Sequence, residues 1–208
     1  MSSTKRRVLV LFAHPALQKS RVNRRLIQEP QGLSGVHVHD LYEEYPRLDI
    51  DVRREQRLLA DHDVVVFQHP FYWYSAPSIM KEWQDLVLEH GWAYGSEGRA
   101  LHGKRWLQVT STGGPAEAYC SQGQNHATVR QLLAPLEQTA RLCGMRFLPP
   151  FVVYGAHSLD ESGIEAAAAD YRALLVALRD DQLDEAAVDS LPCLTGDLIA
   201  GLATATEA

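Results

Sequence analysis

Residues 61–83 read DHDVVVFQHPFYWYSAPSIMKEW, and this stretch decides the fold. Residues 64–67 form a continuous apolar run, too short for a helix, which is typical of a parallel strand buried on both faces. The run breaks at Gln68-His69-Pro70 into a loop, and Pro77 opens a helix whose apolar residues recur at helical spacing. The sequence therefore predicts a central strand, a loop at its carboxyl end and a helix after it.

The loop between this strand and this helix is aromatic, because residues 71–74 read FYWY. In an open α/β sheet, ligands bind outside the carboxyl ends of the strands. Aromatic side chains suit a flat π-system, so the loop predicts a site for a planar ligand. The alternative is that these rings fill the core or a dimer interface.

The rest of the chain alternates strands and helices around this centre. Further strands are predicted at residues 8–12, 36–41, 106–110 and 147–154, and helices at 49–61, 128–143 and 162–179. This alternation predicts an α/β fold with a doubly wound, five-stranded parallel sheet. Two prolines at the start of the last strand indicate an edge position. The predicted domain covers residues 1–180, and residues 181–208 form an acidic and then alanine-, leucine- and threonine-rich tail.

Two more loops at strand ends carry polar chemistry. After the first strand, Ser20 is the predicted N-cap of a helix, and its hydroxyl, the Asn23 amide and the helix N–H groups offer an anion site. After the fourth strand, Ser111-Thr112-Gly113-Gly114 lets the backbone approach a ligand closely. Neither loop is a G-x-G-x-x-G fingerprint or a P-loop, which disfavours a dinucleotide-type Rossmann site.

Composition narrows the class of protein further. The chain has 208 residues, 46% of them hydrophobic, and a formal net charge of −6. The single basic cluster, Lys5-Arg6-Arg7, is too short for a nucleic-acid-binding face. No apolar run approaches the roughly 18 residues that a bilayer requires, and no signal peptide is apparent, so a cytoplasmic location is expected. The three cysteines lack metal spacing, and His37 and His39 are expected to face solvent rather than bind a metal.

Taken together, five motifs resemble those of the flavodoxin-like NAD(P)H:quinone oxidoreductases. The resemblance is closest to the branch that includes the ancillary proteins of glutathione-regulated potassium-efflux systems, and it covers roughly residues 8–179. The motifs, in chain order, are His14-Pro15 with Ser20 and Asn23, then Gln68 to Pro77, His90 to Gly95, Ser111 to Gly114, and Leu148-Pro149-Pro150.

The resemblance implies a sheet in the order 2-1-3-4-5, a homodimer, and non-covalently bound FMN rather than FAD. It implies that the phosphate and ribityl chain contact His14, Ser20, Arg21, Val22 and Asn23. It implies that Pro70, Phe71, Tyr72 and Trp73 flank the isoalloxazine ring. The polar edge of the ring would meet Ser111, Thr112, Gly113 and Gly114.

The implied reaction passes hydride from NAD(P)H to the flavin and then to a quinone, in a ping-pong cycle. Tyr119 matches the spacing of a tyrosine that stabilises charge on the flavin in related animal enzymes, and His126 lies one residue from the corresponding histidine position. An alternative is a flavin-binding regulatory subunit of a membrane potassium-efflux transporter, held at the inner face of the membrane. Leu191, Leu194, Leu198, Ile199 and Leu202 in the tail would then serve as a docking segment. Reduction of azo or nitro compounds would use the same site.

Overall fold

A computed structural model of the protein describes residues 5–194 together with Gly196 and Ile199. The strands are β1 (Val8–Phe12), β2 (Val36–Asp40), β3 (Val64–Pro70), β4 (Arg105–Ser111), β5 (Arg146–Phe147) and β6 (Phe151–Val153). The helices are α1 (Val22–Leu26), α2 (Leu41–Glu44), α3 (Val52–Ala60), α4 (Ser78–Val87), α5 (Val129–Leu132), α6 (Ala134–Leu142), α7 (Glu161–Arg179) and α8 (Glu185–Val188).

The strands form one parallel sheet in the order β2-β1-β3-β4-β5, with β6 also pairing with β4. The predicted α/β class and strand order are therefore confirmed. The register places Phe12 beside Gln68 and Pro70 beside Ser111. The loops that follow β1, β3 and β4 consequently meet at one edge of the sheet.

Helices cover both faces of the sheet, so residues of the central strands are buried on both sides. Val65 and Phe67 of β3 pack into one core with Trp83 of α4, whereas Val64 and Val66 pack into the other with α7. Every residue of β1, β3 and β4 is buried. This double burial explains why β1 and residues 64–67 of β3 read as continuous apolar runs.

The central strand is longer than predicted, because β3 continues through Gln68, His69 and Pro70 instead of breaking there. The two polar side chains are buried, and both find partners inside the protein. Gln68 Oε1 accepts a hydrogen bond from the Tyr171 hydroxyl at 3.0 Å, and a ring nitrogen of His69 lies 2.6 Å from Gln108 Oε1. Buried polar groups are tolerated where such partners exist.

Prolines interrupt two elements that were predicted as continuous. The last strand is divided into β5 and β6, because Pro149 and Pro150 lack the N–H that a ladder requires. The helix predicted for residues 128–143 is divided into α5 and α6, with Pro135 in the first turn of α6. Both predicted spans were therefore wrong as single elements.

His39 does not face solvent as predicted, although His37 on the same strand is exposed. The His39 side chain is 3% exposed, and its Nε2 lies 2.8 Å from Oε1 of the buried Glu55 on α3. The same carboxylate accepts hydrogen bonds from the Tyr45 hydroxyl at 2.6 Å and from Trp83 Nε1 at 2.8 Å. A helix covers this half of β2, which the pattern of the strand alone did not indicate.

The described part of the predicted tail packs on the domain. Leu183, Val188, Leu194 and Ile199 are buried in the same core as α7, and Leu191 is partly buried against it. Leu198 and Leu202, which were predicted to help a docking segment, lie outside the described residues. Within the described part of the chain, no helix is both long and apolar enough to cross a membrane.

Candidate functional site

A cleft of about 490 Å³ opens where the loops after β1, β3 and β4 meet. Its walls come from these three loops and from the loop between β6 and α7. The lining residues are His14, Ala16, Lys19, Ser20, Arg21, Val22, Asn23, Pro70, Phe71, Tyr72, Ser111, Gly113, Ala156 and His157. This volume lies within the range of about 300–1,000 Å³ that is usual for small-molecule sites.

Most of the predicted contact residues lie in this cleft, but three do not. The cleft lining lacks Trp73, Thr112 and Gly114. The Thr112 side chain is fully buried, and its hydroxyl donates a hydrogen bond to the Gly114 carbonyl at 2.8 Å. This bond stabilises the loop after β4. Four lining residues were not predicted: Ala16, Lys19, Ala156 and His157.

The loop after β1 forms the polar end of the cleft. The Ser20 hydroxyl accepts a hydrogen bond from the Asn23 backbone N–H at 3.1 Å, as predicted for a residue that caps a helix start. Among the described residues, no hydrogen bond uses the backbone N–H groups of Arg21 or Val22. Lys19 and Arg21 add positive charge beside these free donors. This end of the cleft is suited to an anion.

Asn23 has a different role from the one predicted for its amide. The side chain is 2% exposed, and Nδ2 donates to the Ser111 hydroxyl at 2.8 Å. This bond joins the first turn of α1, which follows the loop after β1, to the end of β4. The Asn23 side chain therefore supports the shape of the cleft, and the anion-facing donors are those of its neighbours.

His14 lies beneath the same end of the cleft and is neutral. Its Nδ1 accepts a hydrogen bond from the Ala16 N–H at 3.1 Å, so the proton of the neutral ring is on Nε2. Burial lowers the pKa of His14 below its ordinary value. The Nε2–H group of the neutral ring is left as a donor for a ligand.

The aromatic loop supplies the opposite wall of the cleft. Phe71 is 9% exposed and Tyr72 is 41% exposed, and both line the cleft. Trp73 is 93% exposed and points away from the lining. A tight turn causes this, because the Ser75 N–H donates to the Tyr72 carbonyl at 3.0 Å while Trp73 and Tyr74 have φ of 50° and 62°.

Gly113 and His157 form a close pair at the floor of the cleft. A Cβ atom at residue 113 would lie 2.8 Å from Nε2 of His157, so the imidazole packs against the glycine backbone. The loop that carries His157 is attached to the loop after β4, because the Ala156 N–H donates to the Thr112 carbonyl at 2.8 Å. His157 follows β6 at the same edge of the sheet. Its position after a predicted strand is the feature of the sequence that could have indicated a place in the cleft.

The two residues predicted to be catalytic lie in different surroundings. The Tyr119 ring meets Phe71 edge-on at 6.0 Å, directly behind the aromatic wall. Burial and the neighbouring Tyr74 raise the pKa of Tyr119, and a hydrogen bond with Thr112 opposes them. His126 is exposed, has a φ of 53° and does not line the cleft.

Comparisons with known proteins identify the family and agree with the fold. A family model described as a flavodoxin-like fold matches residues 6–175. The glutathione-regulated potassium-efflux system ancillary protein KefG of Pectobacterium carotovorum is 47% identical over 165 residues, which are 79% of this chain and 90% of that protein.

Two solved structures are also similar. General stress protein 14 of Treponema denticola, solved in complex with FMN, superposes with a TM-score of 0.79 and 38% identity, covering 83% of this chain and 99% of that one. An NADPH-quinone reductase of P. pentosaceus superposes with a TM-score of 0.74 and 30% identity, covering 81% and 96%.

Proposed function

Because the chain belongs to the flavodoxin-like fold family, we propose that it is an FMN-dependent NAD(P)H:quinone oxidoreductase. One observation carries the proposal: a single cleft has free N–H donors and cations at one end and an aromatic wall at the other. The similar protein from Treponema denticola was solved with FMN, and the one from P. pentosaceus is named an NADPH-quinone reductase.

The residues of the cleft fit FMN. The N–H groups of Arg21 and Val22, the Ser20 hydroxyl, and Lys19 would hold the phosphate, and His14 Nε2–H would donate to the phosphate or the ribityl chain. Pro70, Phe71 and Tyr72 would flank the ring. Gly113, which has no side chain to block approach, would let the backbone meet the polar edge of the ring. Ser111 also lines this floor, with its hydroxyl held by Asn23.

When bound, FMN supplies the ring that takes up hydride from NAD(P)H and passes it to a quinone. The protein's task is to orient this ring, to leave one face open to the two co-substrates in turn, and to stabilise negative charge at the polar edge. Backbone N–H groups near Gly113 and the Tyr119 hydroxyl are the groups of this chain suited to that charge. Tyr119 is therefore the catalytic candidate, and the exposed His126 has no catalytic role in this proposal.

An anaerobic visible spectrum of the purified protein tests this proposal. We expect an oxidised-flavin band that bleaches when NADPH is added and returns when benzoquinone follows. A Tyr119→Phe variant should retain the band and turn over more slowly, because it loses a hydroxyl and keeps the ring. A protein that takes up no flavin after incubation with FMN would contradict the proposal.

A regulatory function is the second candidate, because a relative at 47% identity is an ancillary protein of a potassium-efflux system. In that case a transporter subunit should copurify with the protein, and oxidation of NAD(P)H by benzoquinone should be slow. A fast benzoquinone reaction without copurification would favour the enzyme. Parallel assays with azo and nitro compounds would decide the acceptor class, and light scattering would test the proposed homodimer.

A further inference from the structure

The chain continues beyond the residues that the family model matches. The family match ends at residue 175, and the Treponema denticola structure is covered over 99% of its own length but only 83% of this chain. The described part of this extension, residues 181–194, is named here the C-terminal segment. Its contacts run from the amino ends of the strands to the neighbourhood of the cleft.

Salt bridges hold the first half of the C-terminal segment. Asp181, Glu185 and Asp189 recur every four residues, and they pair with arginines at the amino ends of strands. Asp181 pairs with Arg6 at 2.9 Å and with Arg105 at 2.7 Å, Glu185 pairs with Arg105 and Arg146, and Asp189 pairs with Arg146 at 3.3 Å. Arg105 is 8% exposed, so its pairs lie in a partly desolvated setting where ion pairing matters more than at the surface.

The second half of the C-terminal segment lies along the edge of the sheet. Arg130 donates to the carbonyls of Asp189 and Leu191, both at 2.6 Å. The Leu194 N–H then donates to the Pro150 carbonyl at 2.9 Å, and Leu194 pairs in parallel with Phe151 of β6. The segment therefore runs beside β6 toward the carboxyl edge, where the cleft lies.

Adjacent residues of the segment reach the two opposite faces of the sheet. Leu194 is buried in the core that contains α7. Cys193 instead meets Tyr154, whose hydroxyl lies 4.0 Å from its sulfur and whose ring packs on the core that contains Phe71. Such alternation is normal for neighbouring residues of an extended chain.

Tyr154 connects the segment to the catalytic candidate. Its ring centroid lies 5.9 Å from that of Tyr119, which in turn contacts Phe71 of the cleft wall. The next residue, Gly155, donates its N–H to the Gly114 carbonyl at 2.9 Å, so the backbone after Tyr154 is also bound to the loop after β4. Tyr154 thus contacts the back of the site through its ring, and the residue that follows it is bound to the loop after β4.

We propose that Tyr154 is a positioning residue for Tyr119 and that the C-terminal segment holds Tyr154 in place through Cys193. The inference rests on the proposed function only for the catalytic role of Tyr119. It assigns the C-terminal segment, which lies beyond the family match at residue 175, to the support of the site.

The test labels the full-length protein with 3-fluorotyrosine and follows the Tyr119 signal by 19F NMR, assigned with Tyr119→Phe. In Cys193→Ala this signal should shift. Ser190→Ala, an exposed change in the same segment, is the matched control and should leave the signal in place.

Kinetics of the FMN-loaded protein supply a second measurement. Cys193→Ala should lower kcat by about two- to fivefold with the KM for NADPH unchanged, because a less well placed Tyr119 affects the transition state rather than binding. An unmoved Tyr119 signal in Cys193→Ala, or an equal shift in Ser190→Ala, would overturn the proposal. A protein that binds no FMN but shows the expected shifts would refute the proposed function alone.

Discussion

The Asn23 side-chain amide donates a hydrogen bond to the Ser111 hydroxyl, 2.8 Å away, across the carboxyl edge of the sheet. The two residues are 88 positions apart in the chain, and both are buried. The bond joins the first turn of α1, beside the N–H groups that would hold the FMN phosphate, to the strand end that would meet the FMN ring. The polar and aromatic halves of the cleft therefore share one internal link.

Breaking this link should weaken both the fold and the site. We expect Asn23→Ala to lower the free energy of unfolding by about 1–3 kcal/mol, because the Ser111 hydroxyl loses its buried donor. FMN affinity should fall about tenfold, which corresponds to about 1.4 kcal/mol. Urea unfolding and quenching of FMN fluorescence measure the two effects. Arg24→Ala, an exposed change on the same helix, is the control, and equal FMN affinity in the two variants would contradict the prediction.

The contact between Gly113 and His157 predicts that Gly113→Ala lowers FMN affinity and that His157→Ala reduces this loss. Gly113→Ala would place a methyl group 2.8 Å from His157 Nε2, so the imidazole must leave its position. We expect FMN affinity to fall about tenfold in Gly113→Ala. The fall should be smaller when the alanine is introduced into His157→Ala, which has no ring to displace. Identical losses in the two backgrounds would show that the two residues are not coupled.

Glu55 predicts a pH dependence of stability. Burial alone would raise the pKa of Glu55, but hydrogen bonds from His39, Tyr45 and Trp83 outweigh it and lower the pKa below its ordinary value. A carboxyl group with a lowered pKa stabilises the fold above its unfolded-state pKa of about 4.3, and that stability is lost as the pH falls through the folded pKa.

Glu55→Gln removes the titrating group and should lower the free energy of unfolding by about 2–4 kcal/mol at pH 7. The difference from the wild-type protein should narrow as the pH falls below about 4.3. Urea unfolding at several pH values measures this narrowing. Glu43→Gln, on an exposed carboxylate nearby, serves as the control. A difference that stays constant down to acid pH would rule out Glu55 as the source.

The turn that carries Trp73 predicts that glycine is better tolerated there than alanine. Trp73 has a φ of 50°, a left-handed conformation that costs a residue with a Cβ about 1 kcal/mol or more. Trp73→Gly should therefore be about 1 kcal/mol more stable to urea than Trp73→Ala, since both remove the exposed ring equally. Equal stability of these two variants would mean that the turn is not strained.

Much of the fold could be predicted from the sequence, because a strand that is buried on both faces consists mainly of consecutive apolar residues. The apolar runs in β1 and β3 and the helix opened by Pro77 were recognisable for this reason. The predictions were wrong where polar residues are buried. Gln68, His69 and His39 looked like loop or surface residues, and each is accommodated by a partner from a distant element.

The sequence by itself determined the class of sheet, the three loops at its carboxyl edge and the chemical character of each loop. Only the tertiary structure decided that His157 lines the cleft and that Trp73 and His126 do not. It also decided that the Asn23 side-chain amide donates a hydrogen bond to the Ser111 hydroxyl. Residue type reports whether a side chain prefers water or the interior. Which two polar side chains form a hydrogen bond depends on how strands and helices that are far apart in the chain pack together. A local sequence pattern does not predict these long-range contacts.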